Sequence, residues 1–187
     1  MHVPLLTYLG LVSQLLVVVT ATLRYRSVSG EMKLLAVFFG VSLFISLLQV
    51  ALALNAVNNL WILHFFNLLS FCIYLFVFSY WQPDANIGRM FRREFIFAYC
   101  VIWLLSKVSI ESFLSFDYFS SGLGNVVMVF IVCYTMISSV DRSSAALLYD
   151  RFLILSGVLI SSISSAVVNS SANLISSLQH DEMLKIW

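Results

Sequence analysis

The sequence predicts an all-α fold, a polytopic transmembrane helical bundle, from its low charge and its long apolar runs. Of the 187 residues, 61% are hydrophobic and 10% are charged, whereas a soluble domain carries about 25% charged residues. The apolar residues form continuous runs of roughly 20, the length that a helix needs to cross about 30 Å of hydrocarbon. A membrane β-barrel would instead show short segments of alternating polarity. Open sheets are excluded because lipid cannot satisfy the backbone groups at their edges.

Six apolar runs are predicted to be spans of a single transmembrane helical domain that covers residues 1–187. The first is interpreted as a retained span rather than a cleaved signal, because Arg24 and Arg26 follow it and no basic residue precedes it. The third ends before Pro83, since the residue that precedes a proline is disfavoured in a helix. The predicted spans are residues 4–23, 32–54, 60–81, 95–113, 122–140 and 146–178.

The C-terminal segment leaves two interpretations open. Residues 183–187 resemble the start of another apolar run, which would make a truncated seventh span. A short interfacial tail is the alternative. A continuation of about 15 to 20 apolar residues would support the seven-helix plan.

The basic residues predict the orientation of the spans. Lys and Arg are concentrated in the cytoplasmic loops of membrane proteins, and eight of the ten lie in the odd-numbered loops. We therefore expect an extracytoplasmic N-terminus and a location in the cell membrane, here a bacterial inner membrane. The eight are Arg24, Arg26, Lys33, Arg89, Arg92, Arg93, Arg142 and Arg151, and the remaining two are Lys107 and Lys185.

Seven polar residues fall at similar depth within the predicted spans. At 1.5 Å per residue they lie roughly 6 to 12 Å from the extracytoplasmic helix ends, one of them slightly deeper. Polar groups in lipid are costly and face the bundle interior or a wet cavity. We therefore predict that they line one pocket for a small ligand or a proton. These residues are Gln49, His64, Asn67, Lys107, Asn125, Asn169 and Asn173.

Each member of this set also has a purely structural explanation. Lys107 could extend to the outer surface and pair with Glu111 one turn later. His64 could be an interfacial histidine beside Trp61. The Asn side chains could simply join helices by hydrogen bonds. Under the pocket hypothesis, a charged Lys107 is expected to attract an anionic ligand.

The sixth span carries small residues at four-residue spacing, beginning with Gly157, Ser161 and Ser165. Small residues let helices approach closely in lipid, and hydroxyl groups can bond across the interface. This row is therefore predicted to pack against a neighbouring helix.

The sequence gives no indication of an enzyme. It contains three histidines and no HExxH motif, and Cys72, Cys100 and Cys133 lie in separate runs without CxxC spacing. Neither a zinc site nor a disulfide framework follows from this arrangement. The net charge of +1 gives no reason to expect nucleic acid. No catalytic residue, metal or cofactor is predicted, and the expected surroundings are the lipid bilayer.

The segment Asn58-Asn-Leu-Trp-Ile-Leu-His64 resembles uncharacterised bacterial seven-helix integral membrane proteins, some similar to sensory modules that precede histidine kinase domains. The resemblance implies an acidic residue about two turns after the histidine, where this chain has Ser70. It favours a receptor-like or sensory module that uses a small ligand and a signalling partner protein. A small transporter or transporter subunit is the first alternative, and a structural or assembly protein is the second.

Overall fold

The computed structural model of the protein describes residues 5–26, 29–55, 57–113, 117–139 and 151–167. These residues are helical apart from short connections and contain no strand, so the predicted all-α fold is confirmed. One π-helical turn, Phe91–Phe95, joins α4 to α5. The helices are α1 (Leu5–Leu23), α2 (Gly30–Leu54), α3 (Leu60–Trp81), α4 (Ala85–Met90), α5 (Ile96–Ser109), α6 (Phe119–Ser139) and α7 (Arg151–Val167).

Among the described residues, three helices are long and apolar enough to cross a membrane: α2, α3 and α6. The apolar segments Gly10–Leu23 and Arg151–Val167 are shorter. A seven-span bundle is not supported. The end of the sixth predicted span and the truncated seventh span were predicted in residues 168–187. These residues lie outside the described part of the chain.

Helix α5 lies within the predicted fourth span, residues 95–113, and differs from it mainly at the C-terminal end. As predicted, α3 stops before Pro83, and Gln82 takes an extended conformation with ψ 133°. A new helical segment then begins at Ala85, where the Asp84 carboxylate accepts a hydrogen bond of 2.7 Å from the Asn86 backbone N–H. Helix α5 ends at Ser109, four residues before the predicted end at residue 113. The shorter helix leaves Glu111 in the connection to α6.

Helix α3 is the centre of the described bundle, because it contacts α2, α4, α5, α6 and the π-helical turn. Its Leu75, Val77 and Phe78 are completely buried. The core around them includes Leu35 of α2 and Leu155 of α7. The third apolar run therefore positions the other helices.

The outside of the bundle is apolar. Phe44 of α2 is 67% exposed, Val108 of α5 is 80% exposed, and Ile137 of α6 is 74% exposed. Soluble monomers rarely leave large contiguous apolar surface in water. Side chains of this kind around the helices are compatible with a membrane protein.

One end of the bundle places basic side chains over aromatic rings. This end contains the last residues of α1 and α3 and the first residues of α2 and α7, and we call it the basic end. Rings of Tyr and Trp are enriched at membrane–water interfaces, where one part of the ring is apolar and another is wet. The pairs are Lys33 on Tyr25 at 5.3 Å, Arg92 on Tyr80 at 5.0 Å and Arg151 on Trp81 at 5.7 Å, each to the ring centroid.

Candidate functional site

A buried ionic cluster lies at the end of the bundle opposite the basic end. Its centre is Lys107, in the last turn of α5, whose side chain is only 1% exposed. The ammonium group donates hydrogen bonds to Glu111 Oε2 at 2.6 Å, Asp117 Oδ1 at 2.8 Å and Ser120 Oγ at 2.9 Å. Three acceptors therefore satisfy its three protons. The predicted pairing with Glu111 is present, but an extension of Lys107 to the outer surface is wrong.

Asp117 joins the cluster to α3. The Asn67 amide donates to Asp117 Oδ2 at 2.9 Å, and His64 Nδ1 lies 3.6 Å from Asp117 Oδ1. The Ser120 hydroxyl donates to the same carboxylate. The resemblance implied a carboxylate two turns after His64 on its own helix. In this fold the carboxylate near His64 comes from the α5–α6 connection.

The surroundings of Asp117 favour its charged form. Burial alone raises the pKa of this carboxyl group, but hydrogen bonds from Lys107, Ser120 and Asn67 outweigh that effect. They hold the pKa of Asp117 below its usual value. Asp117 precedes the apolar segment Phe119–Ser138. Its charged carboxylate therefore lies in the connection between α5 and α6 and not within a candidate membrane span.

The cluster is shielded from its surroundings. The side chains of His64 and Glu111 are 0% exposed, and that of Asp117 is 2% exposed. Phe113 packs edge-on against the His64 ring, with 5.6 Å between centroids. The Trp103 ring lies 5.8 Å from the Lys107 ammonium. Because the charges are removed from water, their stability depends on the contacts that they make with one another.

The charges in the cluster nearly balance. One ammonium and two carboxylates, on Lys107, Glu111 and Asp117, give a formal charge of −1 when His64 is neutral. Two carboxylates already surround the ammonium, so this arrangement does not favour the expected attraction of an anionic ligand by Lys107. A proton on His64 would bring the formal charge to zero.

The donor atoms of His64, Glu111 and Asp117 lie within 4.8 Å of one another, a spacing that could hold a metal ion. The sequence predicted no metal here, because it does not show that these residues meet. Lys107 already supplies a cation to both carboxylates. A metal ion would have to compete with this ammonium group.

A cavity of about 320 Å³, lined by both polar and apolar side chains, lies beside the cluster. Asn67 of α3 and Asn125 of α6 line it, together with Ser42 of α2 and Ser161 and Ser165 of α7. Asn67 thus contacts both the cavity and, through its amide, Asp117. We call this space the Asn67 cavity.

Tyr99 forms one wall of the Asn67 cavity. Its ring stacks on Phe71 with 3.8 Å between centroids, and its hydroxyl donates to the Ser120 carbonyl at 3.0 Å. A Cβ added at Gly124 would lie 2.5 Å from the Tyr99 hydroxyl oxygen. Gly124 therefore allows Tyr99 to reach α6, just below the cluster.

The structure brings together part of the predicted polar set. His64, Asn67 and Lys107 meet at Asp117, and Asn125 shares the cavity with Asn67. Gln49 belongs neither to the ionic cluster nor to the lining of the Asn67 cavity. Its backbone carbonyl accepts a hydrogen bond from Asn59 at 2.9 Å, and its Nε2 is buried without a partner among the described residues. Asn169 and Asn173 lie outside the described residues.

The close packing predicted for the small-residue row of α7 is not seen among the described residues and stays a prediction for the full chain. A Cβ added at Gly157 would meet no described atom within 4 Å. Ser161 and Ser165 line the Asn67 cavity. Within the described part of the chain, the row therefore borders open space rather than a tight helix interface.

Sequence reasoning missed two members of the ionic cluster, Asp117 and Ser120. In the sequence Asp117 stands among Phe116, Tyr118 and Phe119, aromatic residues that are also typical of a membrane interface. One signal was available in the sequence. Asp117 lies in the loop between the fourth and fifth predicted spans, and Glu111 lies near the end of the fourth span. Two acids close in sequence to Lys107, one of the two basic residues assigned to that side, predict an ion pair.

Known proteins give no guide to this site. Comparisons with protein-family models, curated proteins and solved structures find no match to the chain. Its chemistry is therefore interpreted from its contacts alone.

Proposed function

We propose that this chain is a multi-pass integral membrane protein and a receptor-like or sensory module that binds a small polar ligand in the Asn67 cavity. In this proposal the N-terminus and the ionic cluster lie on the extracytoplasmic side of the cell membrane. A signalling partner protein reads the state of the bundle from the basic end.

The observation that carries the proposal is the double role of Asn67. Its side chain lines the cavity and also donates to Asp117 at 2.9 Å. A ligand that hydrogen-bonds to Asn67 competes with this bond. Occupancy of the cavity then changes the hydrogen bonding of a buried carboxylate.

The cluster can transmit that change because it joins three parts of the fold. His64 belongs to α3, Lys107 to α5 and Asp117 to the segment that leads into α6. A lost hydrogen bond to a buried charged group costs roughly 1.5 to 3 kcal/mol. This free energy is enough to change the population of two helix arrangements more than tenfold.

The cavity suits a small polar molecule rather than a large apolar one. Its volume of about 320 Å³ lies at the lower end of the roughly 300 to 1,000 Å³ that ligand pockets occupy. Amide and hydroxyl groups from α2, α3, α6 and α7 converge on it, and no charged side chain lines it among the described residues. These features favour a neutral or zwitterionic ligand with several hydrogen-bonding groups.

A binding screen on the full chain in lipid nanodiscs tests the proposal. The panel contains amino acids, sugars, polyols and short-chain carboxylic acids, and the readout is the thermal unfolding temperature. A ligand at 100 times its Kd stabilises the folded protein by about 2.7 kcal/mol. We expect at least one compound to raise the unfolding temperature of the wild-type protein in a concentration-dependent manner.

Two variants of α6 locate the binding. Asn125→Leu replaces an amide that lines the cavity with a bulkier apolar side chain, and should abolish the shift. Val126→Leu adds similar bulk on the outer face of the same helix, where Val126 is 46% exposed, and should retain it. A compound that stabilises both variants equally would show that the cavity is not its site. The proposed function would be contradicted if no compound in the panel raised the unfolding temperature of the wild-type protein by more than it raised that of Asn125→Leu.

A further inference from the structure

A second polar surface, at the basic end, lies on one face of the helical run from α4 into α5. Asn86, Arg89 and Arg93 line an open cleft of about 780 Å³, together with Met90, Glu94 and Phe97. Residues three or four apart on a helix are neighbours on its surface. The cleft lining therefore combines polar and charged side chains with the apolar Met90 and Phe97.

The charged groups that line this cleft do not balance. Arg89 donates to the Asn86 side chain at 2.5 Å, which holds its guanidinium near the cleft wall. Within the described residues neither Arg93 nor Glu94 takes part in an ion pair. Two guanidinium groups and one carboxylate leave the lining with a formal charge of +1.

The neighbouring Arg92 has a different environment. Its guanidinium lies over the Tyr80 ring, 5.0 Å from the centroid, and Arg92 does not line the cleft. The three arginines of this segment are thus divided between Arg92, which lies over a ring, and two that line the open cleft. Arg89 and Arg93 therefore define a local site, and Arg92 contributes only to the positive charge around it.

The cleft also lies where the chain changes from polar to apolar. Phe97, one turn beyond Arg93, is 71% exposed, and the exposed Val101 and Leu104 follow on α5. The aromatic rings of Tyr80 and Trp81 lie at the same end, each covered by an arginine. Rings with polar partners are typical of the headgroup level of a bilayer.

We propose that this cleft binds the phosphodiester of an anionic phospholipid, with the phosphate between Arg89 and Arg93. Arginine matches phosphate geometry with two parallel N–H donors. Headgroup hydroxyl groups, as in phosphatidylglycerol, can donate to Glu94 and to the Asn86 oxygen, and an acyl chain lies along Phe97. The inference uses the membrane placement in the proposed function but does not depend on the Asn67 cavity.

Lipid titration of the full chain in detergent micelles tests this site, with native mass spectrometry and thermal unfolding as readouts. The probes are dioleoylphosphatidylglycerol, dioleoylphosphatidylcholine and inorganic phosphate. At about fivefold in affinity for each basic residue near anionic lipid, Arg89→Gln/Arg93→Gln should weaken phosphatidylglycerol binding about 30-fold. Arg92→Gln is the matched control and should change it less than twofold.

The outcomes separate a specific site from diffuse charge. Saturable binding of phosphatidylglycerol that only the double variant loses supports the proposal. Equal weakening by Arg92→Gln, or equal binding of phosphatidylcholine, would overturn it. Stabilisation by inorganic phosphate to the same extent would also overturn it, because a free anion rather than a lipid would then be the ligand. Asn125→Leu should leave this binding unchanged, so failure of the cavity hypothesis is distinguishable from failure here.

Discussion

The two ends of the bundle hold their charges in opposite ways. At the ionic cluster, Lys107, Glu111 and Asp117 are almost completely buried and contact one another. At the basic end, Lys33 and Arg92 are partly exposed and lie over aromatic rings. A buried charge depends on each of its partners, whereas an exposed cation keeps its hydration when its ring is lost. The ionic cluster should therefore be sensitive to substitution and the basic end tolerant.

Removal of the buried ammonium should produce the largest effect. Lys107→Met leaves the carboxylates of Glu111 and Asp117 close together without a cation. Breaking a buried ion pair by removing one partner costs about 3 to 5 kcal/mol. We expect a loss of this size in the free energy of unfolding in detergent, measured by chemical denaturation.

A second variant distinguishes lost charge pairing from lost packing. Lys107→Met with Glu111→Gln and Asp117→Asn removes all three charges and should recover much of the stability, since neutral groups are less costly to bury. If the triple variant is no more stable than Lys107→Met, the loss does not come from unpaired carboxylates.

The contact between Tyr99 and Gly124 should produce the next largest effect. Gly124→Ala forces the Tyr99 hydroxyl away from α6, and overpacking of this kind costs about 1 to 3 kcal/mol. Gly122→Ala is the matched control, because an added Cβ there meets nothing within 4 Å. We expect Gly122→Ala to be neutral or stabilising, by up to about 1 kcal/mol. Similar unfolding temperatures for the two variants would contradict the close approach of Tyr99.

Local features of this fold could be predicted from the sequence. The predicted third span, residues 60–81, coincides with α3, because a long apolar run and a following proline mark its length and its end. The Lys107–Glu111 pair follows from four-residue spacing. In both cases the determining residues are neighbours along the chain.

The members of the site could not all be predicted, because depth within a span does not specify direction. Gln49 and Asn67 have similar predicted depth, yet Asn67 faces Asp117 and Gln49 does not line the cavity. Asp117 meets Asn67 across 50 positions of sequence, and only the packing of α5 and α6 against α3 brings them together. The sequence therefore indicated the polar level of the bundle but not its contacts.

Acid should weaken the ionic cluster through Asp117. Its folded-state pKa lies below the usual value, so its contribution to stability is fully present above the unfolded-state pKa of about 3.9. That contribution is lost as the pH falls through the lower folded-state pKa. Unfolding temperatures measured from pH 7 to pH 3 should fall more steeply for the wild-type protein than for Asp117→Asn. Parallel curves would exclude this role of Asp117.

The smallest effect is expected at the basic end. Lys33→Met removes a cation–π contact with Tyr25, 5.3 Å from the ring centroid, and should cost about 0.5 to 1 kcal/mol. The substitution is the same as at Lys107, so the two losses compare the two ends directly. A loss at Lys33 as large as that at Lys107 would remove the difference between them.

The central claim is that Lys107 and Asp117 form one buried, coupled ion pair. A double-mutant cycle of Lys107→Met and Asp117→Asn, measured as the free energy of unfolding, tests it most directly. The cycle isolates the interaction between the two side chains. A charge-assisted buried hydrogen bond predicts a coupling free energy of about 1.5 to 3 kcal/mol. Losses that add within about 0.5 kcal/mol would contradict the account, because they would show that the two groups do not interact.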